Sequence, residues 1–205
     1  MAISSKATLR RDYVRKRNEI EAALRQQGSG FIRHRLFQLP AWQKATTLLT
    51  YVSFGSEVDT YKIIQEAFLQ HKRVVVPCVD PVGTETSLSE LKNLGDLAPG
   101  PRHHIPETGE AFRKRVSHAE IQLALVPALS YDRTGARLGR GGGYYDRLIP
   151  KLTNAVCIGL AFSDQLNPES LPTEPHDRPV HTIITEQELI EISTLHIPLD
   201  SQGAS

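Results

Sequence analysis

Arginines alternate with glycines in residues 135–147, which read GARLGRGGGYYDR. Glycine has no side chain, so its backbone N–H groups can approach an anion closely and curl around it. Arg137 and Arg140 add fixed positive charge with a planar geometry that suits phosphate oxygens. The segment therefore predicts a loop that cradles phosphate.

Two well-known phosphate motifs do not describe this loop. A Walker loop needs Gly-Lys followed by Ser or Thr, and the dinucleotide pattern G-x-G-x-x-G ends here on Tyr144 or Asp146 instead of glycine. Two other interpretations stay open: a flexible turn with solvated arginines, or an arginine-glycine tract for nucleic acid. The second is disfavoured because such tracts are repeated and disordered, whereas this one is a single copy between apolar runs.

The positive and negative side chains nearly balance, so the protein has no strong net electrostatic field. The chain has 24 Lys+Arg against 23 Asp+Glu, so we expect neither nucleic acid nor a membrane as a partner. Cys78 and Cys157 each lie inside an apolar run, which indicates buried reduced thiols and a cytoplasmic protein. The start has no apolar signal-peptide core, and no apolar stretch reaches the ~20 residues that span a bilayer.

The elements that must position the loop follow an α/β pattern. Apolar runs rich in β-branched residues predict strands of a largely parallel sheet at 46–54, 73–79, 121–127 and 155–162. Residues 59–71 between the first two predict a helix, with Asp59 or Thr60 as its N-cap. We expect a single α/β domain over residues 1–205, with a mostly parallel β-sheet flanked by helices and frayed ends at about 1–5 and 197–205.

Further elements are predicted around this frame. A long amphipathic helix is expected over residues 6–27, ending at Gly28, and a second helix over 31–39, before Pro40. Residues 92–110 read as a long Pro/Gly-rich connection, 111–121 as a short helix, and the stretch from Glu186 as a last helical segment.

The glycine loop lies between the strand at 121–127 and a helix predicted from YYDRLIPKL. Ligands of α/β proteins bind at such junctions, outside the carboxyl ends of the strands. The following helix is also expected to direct its positive N-terminal dipole at the anion.

The same residues carry a resemblance to a known family. RLGRGGGYYDR, preceded by LVPALSYDRTG and followed by GLAFSDQ, resembles the signature of 5-formyltetrahydrofolate cyclo-ligase, also called methenyltetrahydrofolate synthetase. KATLRR, SEVDT and HIPETGE resemble further segments of the family, so the similarity runs from about Lys6 to Glu186. The family fold is a single α/β domain.

The resemblance implies an ATP- and magnesium-dependent reaction. It converts 5-formyltetrahydrofolate into 5,10-methenyltetrahydrofolate and releases ADP and phosphate. The formyl oxygen attacks the γ-phosphoryl group, and the neighbouring folate nitrogen then attacks the activated carbon and expels phosphate. No protein nucleophile is required, so positioning and charge neutralisation carry the chemistry.

The resemblance also assigns residues to this reaction. The ATP-binding set is Lys6, Arg10, Arg137, Leu138, Gly139, Arg140, Gly141, Gly142, Gly143, Tyr144 and Tyr145, of which Arg140 and Tyr145 are catalytic. The folate-binding set is Val52, Glu57, Arg140, Gly141, Gly142, Gly143 and Tyr144. The expected magnesium ligands are Asp146 and Asp177.

Simpler explanations exist for these residues. Lys6 and Arg10 also fit a solvated basic face, and the two aspartates fit helix caps or surface charges. Glu57 also fits an exposed turn, and the two tyrosines fit core packing.

The sequence departs from the family pattern at two positions. His181 stands where the family more often has an acidic residue, and Thr108 where a second proline is common. His103 and His104 receive no ligand role, because no second metal-like cluster accompanies them.

Other functions are compatible with this type of sheet. The alternatives are a sugar-phosphate isomerase or CoA-transferase-like enzyme, and a folate-storing or nucleic-acid-binding module. For the cyclo-ligase interpretation we expect a monomer whose partners are 5-formyltetrahydrofolate and ATP.

Overall fold

The computed structural model describes residues 5–79, 86–101 and 105–192. Apart from Ser5, the ends expected to fray lie outside the described residues, and so do His103 and His104.

A seven-stranded sheet forms the centre of the domain. The strands of this sheet are β1 (Thr47–Leu49), β2 (Arg73–Val79), β3 (Thr86–Leu91), β6 (Leu123–Val126), β9 (Val156–Leu160), β10 (Thr182–Ile184) and β11 (Leu189–Glu191). Their order is β11-β10-β9-β6-β1-β2-β3, and the neighbours from β10 through to β2 are parallel, with antiparallel pairs at the two edges. The prediction of a single α/β domain with a mostly parallel sheet is confirmed.

Two small hairpins stand beside the sheet. β4 (Leu97–Pro99) pairs with β5 (Pro106–Thr108) inside the long Pro/Gly-rich connection. β7 (Ser130–Tyr131) pairs with β8 (Arg137–Leu138), so a hairpin separates β6 from the glycine loop.

The helices are α1 (Lys6–Glu19), α2 (Ala22–Gln38), α3 (Pro40–Lys44), α4 (Tyr61–Leu69) and α5 (Tyr144–Leu148). The predicted helix between β1 and β2 is confirmed as α4, with Thr60 as N-cap and Asp59 Oδ1 accepting from the N–H of Tyr61. The helix after the glycine loop is confirmed as α5 but has only five residues, so its dipole is small.

The prediction of one helix over residues 6–27 is wrong. Ile20 and Glu21 take extended backbone angles, with ψ of 125° and 145°, and the chain turns there into α2. Gly28 lies inside α2 because the helix approaches Phe162, and a Cβ at this position would lie 3.2 Å from two ring carbons. The glycine therefore permits close packing and is not a stop signal.

Two other helix predictions are also wrong. Residues 111–121 form only the short 3-10 turns Glu110–Phe112 and His118–Glu120, because the segment between them bonds to β3 through Glu90 N–H and Val116 N–H. In the stretch after Glu186, Leu189–Glu191 form β11, which pairs with β10, and residues 193–205 lie outside the described residues. In both places the backbone hydrogen-bonds to an edge of the sheet, although the spacing of the apolar residues fits a helix.

The apolar core lies on both faces of the sheet, with a third cluster under α1. This third cluster is formed by Tyr13, Leu129, Ala136, Leu138 and Leu171. It attaches α1 to the β7–β8 hairpin and so fixes the basic helix next to the glycine loop. Cys78 and Cys157 are both buried and free, as predicted.

Candidate active site

A cleft of about 1110 Å³ opens at the carboxyl ends of the parallel strands. Its walls come from α1, the segment after β1, the β4–β5 hairpin, the glycine loop with the start of α5, and residues 174–177. The structure brings all of the sequence-predicted site residues into the lining of this one cleft: Lys6, Arg10, Val52, Glu57, Arg137, Leu138, Gly139, Arg140, Gly141, Gly142, Gly143, Tyr144, Tyr145, Asp146 and Asp177.

Positive backbone angles explain part of the glycine content of the loop. Gly141 has φ +99° and Gly143 has φ +61°, which is left-handed geometry that side chains disfavour. Gly143 is also the N-cap of α5, where a Cβ would lie 2.9 Å from Arg147 Nη1. The loop therefore exposes bare backbone to the cleft and turns directly into α5.

Arg137 is buried at the base of this loop. Its side chain is 3% exposed, Nη2 donates to Asp146 Oδ1 at 2.5 Å, and the guanidinium carbon lies 5.7 Å from the centre of the Tyr145 ring. Asp146 Oδ1 also accepts from the N–H of Arg178 at 3.3 Å. Arg137 thus holds both Asp146 and Tyr145 in place.

The start of α1 closes another side of the cleft. Lys6 Nζ donates to Asp177 Oδ2 at 2.7 Å and lies 3.2 Å from Glu174 Oε1. Burial alone would raise the pKa of Asp177, but hydrogen bonds from Lys6 and the Glu174 N–H outweigh it and hold the pKa below the ordinary value. Arg10 Nε donates to Gly139 O at 3.0 Å, so α1 is bonded directly to the glycine loop.

Glu57 lies opposite the glycine loop, in a turn that follows β1. Its Oε2 accepts from the N–H of Phe54 at 3.1 Å, and its Oε1 accepts from Arg140 Nη2 at 2.9 Å. Arg17 Nη1 lies 3.7 Å from the same Oε1. Val52 is buried between β1 and this turn.

The two tyrosines after the loop line the cleft edge to face. Their ring centres are 5.1 Å apart with an interplanar angle of 61°. Burial raises the pKa of Tyr145 well above its ordinary value, which reinforces the neutral, hydrogen-bond-donating hydroxyl that tyrosine already has at neutral pH.

Glu174, His176 and Asp177 form the one group among the described residues with at least three donors close enough to hold a metal ion. One ligand atom from each lies within 4.8 Å of the others. Asp146 is not in this group, although its contact with the Arg178 N–H links it to the same segment. Carboxylate oxygens suit magnesium, so Glu174 and Asp177 fit that ion, whereas the imidazole of His176 is a ligand that transition metals prefer.

Sequence reasoning missed several residues of the site. Glu174 and His176 lie within three positions of Asp177, and a short loop can bring side chains at this spacing together, so their proximity in sequence was a usable signal. Glu107, 4% exposed and paired with Arg113 at 2.5 Å, also lines the cleft. The role of Arg17 could not be recognised from the sequence, because nothing distinguishes the one buried arginine from its exposed basic neighbours on α1.

The two departures from the family pattern lie outside the lining of the cleft. His181 Nδ1 accepts from the N–H of Cys157 at 2.9 Å, and Thr108 is buried in β5. Neither residue lines the cleft.

Within the part of the chain that the structure describes, no helix is both long and apolar enough to cross a membrane.

Comparisons with known proteins agree with one another. A sequence model of the 5-formyltetrahydrofolate cyclo-ligase family matches residues 2–186. The chain is 30% identical to a 5-formyltetrahydrofolate cyclo-ligase of Haemophilus influenzae, over 85% of this chain and 94% of that protein. It is 26% identical to one of Mus musculus, over 89% and 94%. The solved 5,10-methenyltetrahydrofolate synthetase of Aquifex aeolicus has a TM-score of 0.80 and 29% identity, over 98% of this chain and 96% of that one.

Proposed function

The chain belongs to the 5-formyltetrahydrofolate cyclo-ligase family and is an enzyme of that class, and we propose that it uses ATP and magnesium to convert 5-formyltetrahydrofolate into 5,10-methenyltetrahydrofolate. ADP and phosphate are the other products. The observation that carries the proposal is the 2.9 Å contact between Arg140 and Glu57. A residue expected to bind phosphate and one expected to bind folate touch each other across a single cleft.

The two substrates would therefore meet at this contact. ATP would lie along the glycine loop, with Lys6, Arg10 and Arg140 supplying positive charge to its phosphates. Folate would take the other side, where the carboxylate of Glu57 accepts hydrogen bonds from the amide-like edge of the pterin and Val52 supplies an apolar surface. This arrangement presents the formyl oxygen to the γ-phosphoryl group.

The reaction proceeds in two steps. The formyl oxygen bonds to the γ-phosphorus and ADP leaves with the pair of electrons. The neighbouring folate nitrogen then bonds to the activated carbon and loses its proton, and inorganic phosphate departs with the original formyl oxygen. Both steps need charge neutralisation and alignment more than a nucleophile on the protein.

Arg140 and Tyr145 are the proposed catalytic residues. The guanidinium of Arg140 would move from Glu57 to the transferred phosphoryl group, where charge redistributes in the transition state. The protonated hydroxyl of Tyr145 would donate a hydrogen bond in the cleft. Arg137 holds Tyr145 and Asp146 in position from beneath.

Asp146 and Asp177 are the proposed magnesium ligands, and Glu174 and His176 lie beside Asp177. When bound, the ion would neutralise phosphate charge that the arginines leave uncompensated. Lys6 contacts Asp177 directly, so it would transfer from this carboxylate to phosphate oxygen as the nucleotide enters.

A spectroscopic assay tests the proposed function. Purified protein is incubated with 5-formyltetrahydrofolate, ATP and magnesium, and the absorbance of the methenyl product is followed in the near ultraviolet. We expect product only when all three are present. Product without ATP, or none in the complete mixture, contradicts the proposal.

We further propose a cytoplasmic monomer. All of the assigned groups come from one chain, and both cysteines are free and buried, as in a reducing compartment. Light scattering on the purified enzyme tests the oligomeric state, and localisation of a tagged copy tests the compartment.

A further inference from the structure

Arg17 is a buried arginine beside the turn that carries Glu57. It lies on α1 with only 4% of its surface exposed. Its Nε donates to Ser56 Oγ at 3.0 Å, and its Nη1 lies 3.7 Å from Glu57 Oε1. A guanidinium withdrawn from water is costly unless an anion faces it, and Glu57 is the anion here.

The same helix holds the turn at a second point. The hydroxyl of Ser56 donates to Asn18 Oδ1 at 2.6 Å, and Asn18 follows Arg17 on α1. Gly55 takes φ +64°, which lets the turn close and brings the N–H of Phe54 to Glu57 Oε2. The turn is thus tied to α1 through its own residues before any ligand binds.

Two arginines share Glu57, but their surroundings differ. The Arg140 side chain is 51% exposed and extends from the glycine loop, whereas the Arg17 side chain is 5% exposed and bonded to the turn. Burial lowers the pKa of Arg17, Glu57 opposes this shift, and Arg140 adds to it. Arg140 is therefore the partner that a ligand can displace, and Arg17 the partner that stays.

We propose that Arg17 is a positioning residue for folate binding, which fixes the carboxylate of Glu57 after Arg140 has moved to the phosphate. The inference rests on the proposed role of Glu57 in binding folate. Arg17 does not line the cleft, so it acts through Glu57 and does not itself contact substrate.

A double-mutant cycle tests this role. The enzymes are wild type, Arg17→Gln, Glu57→Gln and the double variant, each assayed for kcat and for the KM of folate and of ATP. We expect Arg17→Gln to raise the folate KM about tenfold, the scale of a lost charge-assisted contact, with kcat and the ATP KM little changed. In the double variant the Arg17 change should add nothing, because its target is already absent.

Two further variants separate positioning from folding. Arg17→Lys keeps the charge but loses the planar fork, so its folate KM should lie between those of wild type and Arg17→Gln. Lys16→Gln removes a neighbouring exposed charge on α1 that does not line the cleft, and should behave as wild type. Thermal unfolding of each variant reports the folded fraction, and Arg17→Lys carries the comparison if Arg17→Gln does not fold.

Three results would overturn the proposal. They are additive effects of the two changes on the folate KM, a wild-type folate KM in a folded Arg17→Gln, and a loss confined to kcat. A wild-type protein without activity on 5-formyltetrahydrofolate would instead overturn the proposed function. The two failures are therefore distinguishable.

Discussion

Arg140 Nη2 lies 2.9 Å from Glu57 Oε1, so the cation expected at the phosphate and the anion expected at the pterin neutralise each other across the cleft. Lys6 with Asp177, and Arg137 with Asp146, repeat this pairing of a cation expected at the nucleotide with a carboxylate expected at magnesium. Ligands that use both members of a pair must separate them, which links occupation of one subsite to the state of the other.

The Arg140–Glu57 contact predicts that folate and nucleotide bind synergistically. Folate that engages Glu57 releases Arg140 for phosphate, so 5-formyltetrahydrofolate should tighten the binding of a non-hydrolysable ATP analogue about tenfold. Titration calorimetry with and without folate measures this coupling. Glu57→Gln has no carboxylate to hold Arg140, so the coupling between the two ligands should vanish in this variant. Equal nucleotide affinity with and without folate in wild type would exclude the exchange.

Replacing Arg140 with Ala should reduce turnover more than folate binding. The charge matters most as phosphate charge redistributes, and losing such a donor lowers kcat on the order of 10²- to 10³-fold. Steady-state kinetics give kcat and the folate KM separately. Arg133→Ala is the matched control, because Arg133 is exposed and pairs only with Glu188 among the described residues. Parallel losses in kcat and binding would indicate simple ground-state binding.

Asp146→Asn should raise the magnesium requirement and also destabilise the fold. The amide removes the charge that a hard cation prefers, and it leaves the buried guanidinium of Arg137 without its anion, at a cost of about 3 kcal/mol. Activity titrated against magnesium and chemical denaturation measure the two effects. Asp164→Asn, which changes an exposed carboxylate outside the cleft, is the control. An unchanged magnesium titration would leave Asp146 with only its structural role.

Glu90 should contribute to stability above its ordinary pKa and lose that contribution in acid. Burial would raise the pKa of Glu90, but hydrogen bonds from Lys114 and Arg73 outweigh it and hold the pKa below the ordinary value of 4.5. Its stabilisation is therefore complete above about pH 4.5 and declines as the pH falls through the lower folded value. Urea denaturation from pH 6 to pH 3 should show a shallower decline for Glu90→Gln than for wild type. Identical slopes would contradict this.

Gly159→Ala should destabilise the frame that carries the glycine loop. A Cβ at this position on β9 would lie 2.6 Å from Tyr131 Cζ, and Tyr131 is fixed by its hydroxyl bond to Val126 O. Overpacking of this kind costs about 1–3 kcal/mol, measurable as a lower midpoint in urea. Gly30→Ala, where a Cβ meets nothing within 4 Å, should lack this penalty.

The fold class and the glycine loop could be predicted from local sequence patterns, whereas Lys6, Glu57 and Asp177 were assigned to the site only through the resemblance to the family. Buried strands such as Val156–Leu160 are continuous apolar runs, and the glycine loop combines charge and bare backbone within a few residues. The errors came from long-range contacts. Gly28 packs on Phe162, 134 positions away by the numbering, and β11 forms only because β10 offers an open edge. The burial of Arg17 also depends on a turn distant in sequence.

The transfer of the formyl oxygen tests the central claim most directly. 5-Formyltetrahydrofolate labelled with heavy oxygen in the formyl group is converted with ATP, magnesium and the enzyme, and the phosphate released is examined by mass spectrometry. If the formyl oxygen attacks ATP, one labelled atom appears in inorganic phosphate for each ring closed. Phosphate that carries new oxygen only from solvent water would mean that water cleaves ATP, and it would contradict the phosphorylated intermediate.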